Sequence, residues 1–296
     1  MAAGESPAAA RRRLRLALRR AREAKRLTQR QVAAALDWSL SKVNRIESGE
    51  VSVTSTDLQA LLRLFDVTDP SRVEDLATAA RTSRRRGWWD QPAYREHLTP
   101  AMIQAIQFET EATAIRSFQP TLIPGALQTR DYASAVLDAW RDRFLDADLA
   151  TRLDVRMLRR EQLFSRPEPP AYLLVLDESV LLREVGGPHV MSSQLYDLLK
   201  MARAGPVLVR VLPLIYRAIH LMGLFMIYTS DDEDVALYRE SNLNDEVVYA
   251  PETIRQHRQL FEEVWGQCLD VDASINLVEA RAAALRSTAD RNPPGG

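Results

Sequence analysis

The residues Thr28 to Gly49, TQRQVAAALDWSLSKVNRIESG, constrain the fold more tightly than any other stretch of the chain. Thr28-x-x-Gln31 is a capping box, in which the threonine hydroxyl accepts from a first-turn N–H while Gln31 reaches back. A helix therefore starts there, and Val32, Ala33 and Leu36 fall on its inner face. Asp37-Trp38 makes a turn, Ser39 can cap a next helix, and Val43 and Ile46 point inward on it. Gly49 ends that helix, because the left-handed conformation just past a helix C-terminus suits glycine. An earlier helix carries Leu14, Leu18 and Ala21 on one face, with Arg12, Arg15, Arg19, Arg22 and Arg26 largely elsewhere. A later one, near Thr56 to Phe65, carries Leu58, Leu61, Leu62 and Phe65. Short helices at this density predict a compact all-helical domain over residues 1–68.

The polar positions left over on this scaffold have a particular chemistry. With Val43 and Ile46 inward, the outer side of the last helix in the stretch presents Leu40, Ser41, Lys42, Asn44 and Arg45, with Ser39 at its start. Asparagine can pair with the N6/N7 edge of adenine, arginine with O6/N7 of guanine, and leucine can touch a thymine methyl. Gln29, at the positive end of the helix before it, is placed for a phosphate. Charge agrees. The net formal charge is only −1, yet residues 1–50 hold 12 Lys/Arg against 5 Asp/Glu and the remainder 27 against 35. A basic end on an acidic body suits a module that meets double-stranded DNA; a solvated arginine-rich surface helix is the plainer reading.

Length exceeds what one core usually organises, so a second domain is expected after the helical one. Ser71-x-x-Glu74 predicts a further helix, and RTSRRRG (Arg81–Gly87) a basic linker, together covering residues 69–87. Residues 88–286 read as a larger α+β (mixed α/β) domain. Helices are expected near Ala101–Phe118, Thr129–Ala147, Leu149–Phe164, Ser192–Ala204, Pro251–Trp265 and Ala273–Arg286. About five strands are expected at AYLLVLD (171–177), VLVRVLP (207–213), Leu224–Thr229, Val235–Arg239 and Glu246–Tyr249. Residues 287–296 read as a flexible tail. Cys268 is the one cysteine, which excludes an internal disulfide and suits a reducing cytoplasm. The longest uncharged apolar run, LMGLFMIY, falls well short of the roughly 20 residues that span a bilayer. The basic N-terminus lacks the apolar core of a signal peptide. A cytoplasmic protein, associated with the nucleoid when on DNA and without a membrane role, is the expectation.

The string from Leu14 through Val67 resembles the Cro/repressor-like, xenobiotic-response-element (XRE) family of helix-turn-helix regulators. LRRAREAKRLTQRQVAAALDWSLSKVNRIESGE and the following DLQALLRLFDV carry the likeness. Asp37 and Arg26 depart from it, standing where the family has glycine; aspartate tolerates left-handed geometry better than most residues. The resemblance implies a homodimer reading an inverted repeat, with successive major-groove faces about 34 Å apart. Residues 88–285 resemble the C-terminal domain of actinobacterial antitoxin-like regulators. The shared landmarks are FETEATAIRSFQPTLIPGALQTRDYASAVL, VLDESVLLREVGG, MSSQLYDLL, VLVRVLP and LFMIY. Members are often encoded beside a small protein, which implies a small protein partner here.

Three functions are compatible with these residues. One is a transcription regulator whose C-terminal domain binds that partner or dimerises. The second keeps the DNA reader and makes the C-terminal domain a small-molecule sensor, with Glu178, His220 and Tyr228 near one pocket. The third is an enzyme with Glu178 as acid/base group. Against the third, no GxSxG, HExxH, phosphate-loop or GxGxxG pattern occurs, and Glu178 is better read as first-turn charge complementing a helix dipole. His189 and His220 have no partners at metal-ligand spacing, so no metal, cofactor or catalytic residue is expected. IPGALQT, Gly186-Gly187-Pro188 and Trp88, Trp89, Trp140 and Trp265 are read as architecture.

Overall fold

The computed structural model describes residues 7–47, 49, 51–84, 87–139, 141–142, 145–215, 223–230, 233–240 and 245–291. The chain divides into two compact units, Met1–Gln91 and Pro92–Gly296. In the first, α1 (Pro7–Ala24), α2 (Gln29–Leu36), α3 (Leu40–Glu47), α4 (Ser55–Leu64) and α5 (Pro70–Ser83) surround a single core. Leu14, Leu18, Val32, Ala33, Val43, Ile46, Leu58, Leu61, Leu62 and Phe65 are buried in it, on the faces that the periodicity indicates. α5 joins the same core through Leu76, Ala79 and Ala80, and the Arg11 guanidinium donates to the Ser83 carbonyl at 3.0 Å. The start of α5 differs from the expected Ser71 cap. Pro70 sits in its first turn, and the Asp69 carboxylate accepts from the Arg72 amide at 3.1 Å. Proline's fixed φ is ready-made for that first helical position, which moves the cap to the residue before it. Glu74, released from capping, pairs with Arg81 at 2.7 Å. A short 3-10 turn at Trp88–Asp90 follows. Trp89 is buried there against Trp88, and Gly87 has no room for a side chain, since a Cβ would lie 2.4 Å from the Trp89 ring.

The second unit is built on a six-stranded sheet. In chain order its elements are α6 (Pro92–Arg95), α7 (Pro100–Glu109), β1 (Ala114–Gln119), α8 (Arg130–Asp138), α9 (Asp146–Phe164), β2 (Ala171–Asp177), α10 (Glu178–Leu182), α11 (Gly187–Ala204), β3 (Val207–Leu212), β4 (Phe225–Ser230), β5 (Glu233–Glu240), β6 (Asp245–Val248), α12 (Pro251–Gln267) and α13 (Val271–Arg291). The spatial order is β3-β2-β1-β4-β5-β6. β1, β2 and β3 are mutually parallel, and β4, β5 and β6 continue antiparallel from β1. One face packs on α12, through Phe118, Phe225, Ile227 and Leu237 against Ile254, Phe261 and Val264. The other carries the larger core, with Ile115, Tyr172, Leu174 and Tyr228 from the sheet and residues of α7, α8, α11 and α13.

The strand β1 overturns an expectation, because the helix expected over Ala101–Phe118 ends at Glu109 and Ala114–Gln119 forms a strand instead. Ile115 and Phe118 are spaced as on a helix, yet each serves a different core. A central strand buried on both faces loses its alternation, so period alone cannot separate it from helix. The helix expected over Thr129–Ala147 likewise stops at Asp138, and α9 starts at Asp146. α13 runs on to Arg291, past the expected end. The open edge of the parallel half is closed from the α12–α13 junction. There the Val211 amide donates to Ser274 Oγ, the Leu269 amide donates to the Val211 carbonyl, and Arg210 donates to the Trp265 and Leu269 carbonyls. Covering an edge this way removes a template for pairing with another chain.

Candidate nucleic-acid interface

The geometry from Thr28 to Gly49 comes from three short-range devices. Thr28 Oγ1 accepts from the Gln31 amide at 3.2 Å, and Gln31 Oε1 accepts from the Thr28 amide at 2.8 Å, so both arms of the capping box are made. Asp37 turns the chain with φ 53 and ψ 44, and Arg26 is left-handed too, at φ 54. Both positions where the resembled family has glycine thus need the conformation that glycine adopts without cost. Ser39 Oγ accepts from the Lys42 amide at 3.1 Å and starts α3. Gly49, at φ 77, closes the segment.

α3 then presents Leu40, Ser41, Asn44 and Arg45 on its exposed side, with Val43 and Ile46 buried behind them. Ser39 is exposed as well, its hydroxyl engaged in the cap. The structure treats the two other expected contacts differently. Lys42 Nζ lies 2.7 Å from Asp57 Oδ1 and 3.8 Å above the Trp38 ring, so its charge is already balanced. Gln29 Nε2 donates to Glu47 Oε2 at 2.9 Å, which draws that side chain into the scaffold.

Glu47 is the residue that sequence reading overlooked. Its carboxylate takes two hydrogen bonds from Arg22 of α1, at 2.6 and 3.0 Å, besides the one from Gln29 of α2. Arg22 Nη1 also donates to the Leu27 carbonyl at 2.7 Å. One carboxylate thus joins α1, the start of α2 and the end of α3, and sets the pitch at which α3 is displayed. A signal existed: a carboxylate in the last turn of a helix opposes the helix dipole, so it needs a cation from elsewhere.

In the second unit two of the expected ligand-lining residues, Glu178 and Tyr228, are not neighbours. Glu178 opens α10 beyond the carboxyl end of β2, and its carboxylate accepts from the Leu214 amide at 2.9 Å. Tyr228 is fully buried near the other end of the sheet, in register through Ile115 with Tyr172 at the start of β2. At ~3.3 Å per residue that is a separation of about 20 Å. His220 and Trp140 lie outside the described residues. The architectural readings hold at IPGALQT, where Gln194 accepts from the Thr129 amide and donates to the Leu127 carbonyl, and Thr129 caps α8. Gly186 is left-handed at the head of α11, with its absent Cβ leaving room for Ala135 and Val190. Trp265 stacks on Phe261 and under Arg210.

Behind Tyr228 lies a buried polar cluster that the sequence did not suggest. Glu109 and Arg159 are both buried and joined by two hydrogen bonds, at 2.6 and 3.0 Å. Burial alone would lower the Arg159 pKa, but the charge and hydrogen bonds of Glu109 outweigh it and hold the guanidinium protonated. Burial pushes the phenols of Tyr172, Tyr228 and Tyr238 up from their ordinary value. The Tyr228 hydroxyl makes no hydrogen bond among the described residues, and its ring stacks on Phe108.

Two family models match the chain. One, described as a helix-turn-helix domain, matches residues 13–76. The other, described as a domain of unknown function (DUF5753), matches residues 103–280, more than half of the chain. No curated protein and no solved structure matches.

Proposed function

We propose that this chain, which belongs to the DUF5753 family, is a sequence-specific transcription regulator of the Cro/repressor-like (XRE) kind. It acts in the cytoplasm as a dimer on an inverted repeat, and its C-terminal unit takes the regulating signal. One observation carries the reading: α3 is capped, turned and tilted by Ser39, Asp37 and Glu47 so that Ser41, Asn44 and Arg45 stand clear of the core. The helix-turn-helix match over the same residues supports it. Asn44 and Arg45 read base edges, Leu40 and Ser41 flank them, and exposed Arg26 and Arg30 lie at the α2 end, toward the phosphates. Lys42 and Gln29 enter only where DNA displaces Asp57 and Glu47.

The test is a gel-shift titration against the DNA upstream of the protein's own reading frame, at several salt concentrations. Binding should weaken steeply with salt. Asn44→Ala and Arg45→Ala should each cost about 1–3 kcal/mol and relax the base preference at one position per half-site. Unchanged preference in both variants would overturn the assignment.

For the C-terminal unit the first reading is antitoxin-like: it binds a small protein encoded nearby. Leu182, Leu214 and Ile215 support it, being large apolar residues left exposed beside α10, where Glu178 holds the Leu214 amide. Co-purification with the product of the adjacent frame should be lost on Leu214→Asp with Ile215→Asp. A small-molecule effector is the alternative reading of this unit.

A further inference from the structure

The basic run RTSRRRG (Arg81–Gly87), a linker by its composition, has no part in the base-reading arrangement of α3. Its first residues nevertheless belong to the helical unit. α5 carries the chain as far as Ser83, and Arg84 caps it. Arg81 donates to the Glu74 carboxylate at 2.7 Å, back along its own helix. Arg84 instead crosses to the start of α4, where its Nη2 donates to the Ser55 hydroxyl at 3.3 Å. That hydroxyl is neutral, so the contact aims the guanidinium without cancelling its charge. The backbone behind it is tied down as well, because the Arg11 guanidinium donates to the Ser83 carbonyl at 3.0 Å.

α4 starts beside α3. Asp57, in the first turn of α4, lies 2.7 Å from Lys42 Nζ of α3. Ser55 is two residues before Asp57 in that turn, within about one helical pitch of it, roughly 5 Å. Ser55, Thr56 and Arg84 are exposed, as are Ser41, Asn44 and Arg45. The surface that presents the base-reading side chains thus runs through the Lys42–Asp57 pair to Ser55, and on to Arg84. A helix with its side chains is about 10–12 Å across and the major groove of B-DNA about 12 Å wide, so a helix in the groove fills it. A group standing beside such a helix lies over the groove wall, and that wall is the phosphodiester backbone. Arginine and serine are both phosphate-contacting residues, and a guanidinium fork matches two phosphate oxygens.

We propose that Arg84, aimed by Ser55, grips a DNA phosphate at the wall of the groove that α3 enters, which makes the end of α5 a second contact with DNA. The inference rests on the DNA-reading function of α3. Phosphate contacts fix register and orientation and carry no sequence information directly. Arg84 therefore supplies affinity and register, while Asn44 and Arg45 supply the choice of base.

The test is a gel-shift titration of the full chain at stepped salt, on the DNA upstream of its own reading frame and on an unrelated duplex of equal length. Arg84→Gln should weaken both complexes about tenfold, the loss of one charge-assisted hydrogen-bonded contact, and keep the base preference of wild type. It should also reduce the slope of log K against log salt by about 0.9 for each bound copy. Arg84→Lys keeps the charge and should keep the slope, which separates a lost contact from a folding defect. Arg63→Gln removes an equal charge from the far end of α4, about 12 Å along the helix from Ser55, and should leave the slope as it is. A wild-type slope in Arg84→Gln would overturn the proposal, as would an equal fall in Arg63→Gln, which would make the effect one of net charge alone. The two readings fail separately. Upstream DNA still preferred by a variant with an unchanged slope refutes the Arg84 contact alone, whereas wild type that binds neither duplex refutes the DNA reader and the contact together.

Discussion

In each unit of this protein a carboxylate shielded from solvent is gripped by an arginine through two close hydrogen bonds, Glu47 by Arg22 and Glu109 by Arg159, and the two pairs do different work. Arg22 and Glu47 bridge 25 residues at the rim of the helical unit, with side chains 11% and 8% exposed. The spare capacity of Glu47 goes to Gln29, so every partner belongs to an element that carries the DNA-facing helix. Arg159 and Glu109 bridge 50 residues and are 6% and 5% exposed, set among Tyr172, Tyr228 and Tyr238. The rim pair orients something that must be displayed. The interior pair neutralises charges that cannot reach water, and its worth lies mainly in the cost of breaking it.

Removing Arg159 should therefore have the largest effect. Arg159→Met leaves Glu109 buried without a counter-ion and should cost about 3–5 kcal/mol of stability in chemical denaturation. The double variant Arg159→Met with Glu109→Leu should regain most of that loss, since matched apolar groups can replace a buried pair. A double variant no better than the single would show that the pair is more than mutual neutralisation. Glu47→Gln should cost less, about 1–2 kcal/mol, because glutamine still accepts from Arg22 and Gln29 and the rim is partly solvated. Its signature should instead be weakened DNA binding with the base preference kept, read by the same gel shift as Asn44→Ala. Equal stability losses in Glu47→Gln and Arg159→Met would abolish the distinction between rim and interior.

The smallest effect concerns Cys268, at the junction that closes the sheet edge. Burial pushes its thiol up to about 12 from an ordinary 9.0. A folded state that holds its proton more tightly than the unfolded chain loses stability as pH rises between those values. Wild type should lose stability relative to Cys268→Ala from about pH 9 upward, and none below it, in denaturation at stepped pH. Thiol reagents at pH 8 should modify it slowly in the folded protein and quickly once it unfolds. Fast modification of the folded chain would show that the junction opens.

Much of the helical unit was legible because its determinants are local. A cap binds an amide three residues on, a turn needs one left-handed residue, and an inner face repeats every three or four positions. Thr28, Asp37, Ser39, Val43 and Ile46 all belong to that range. Ser71 misled because two caps competed within three residues and Pro70 decided between them. In the second unit, 114–119 escaped because a strand buried on both faces has no period to read, and its neighbours β2 and β4 come from distant parts of the chain.

By itself, then, the sequence determined where α2 and α3 begin, which faces of the first unit's helices turn inward, that a mixed α/β domain follows, and which residue types meet on α3. Only the tertiary structure decided which polar groups had already been claimed. Lys42 is held by Asp57 across 15 positions, Gln29 by Glu47 across 18, and Arg159 by Glu109 across 50. The same structure separated Glu178 from Tyr228 by most of the length of a strand. The physical reason is range. Backbone caps and helical periods act within one or two turns, whereas a charge is satisfied by whichever opposite group the packed chain brings beside it.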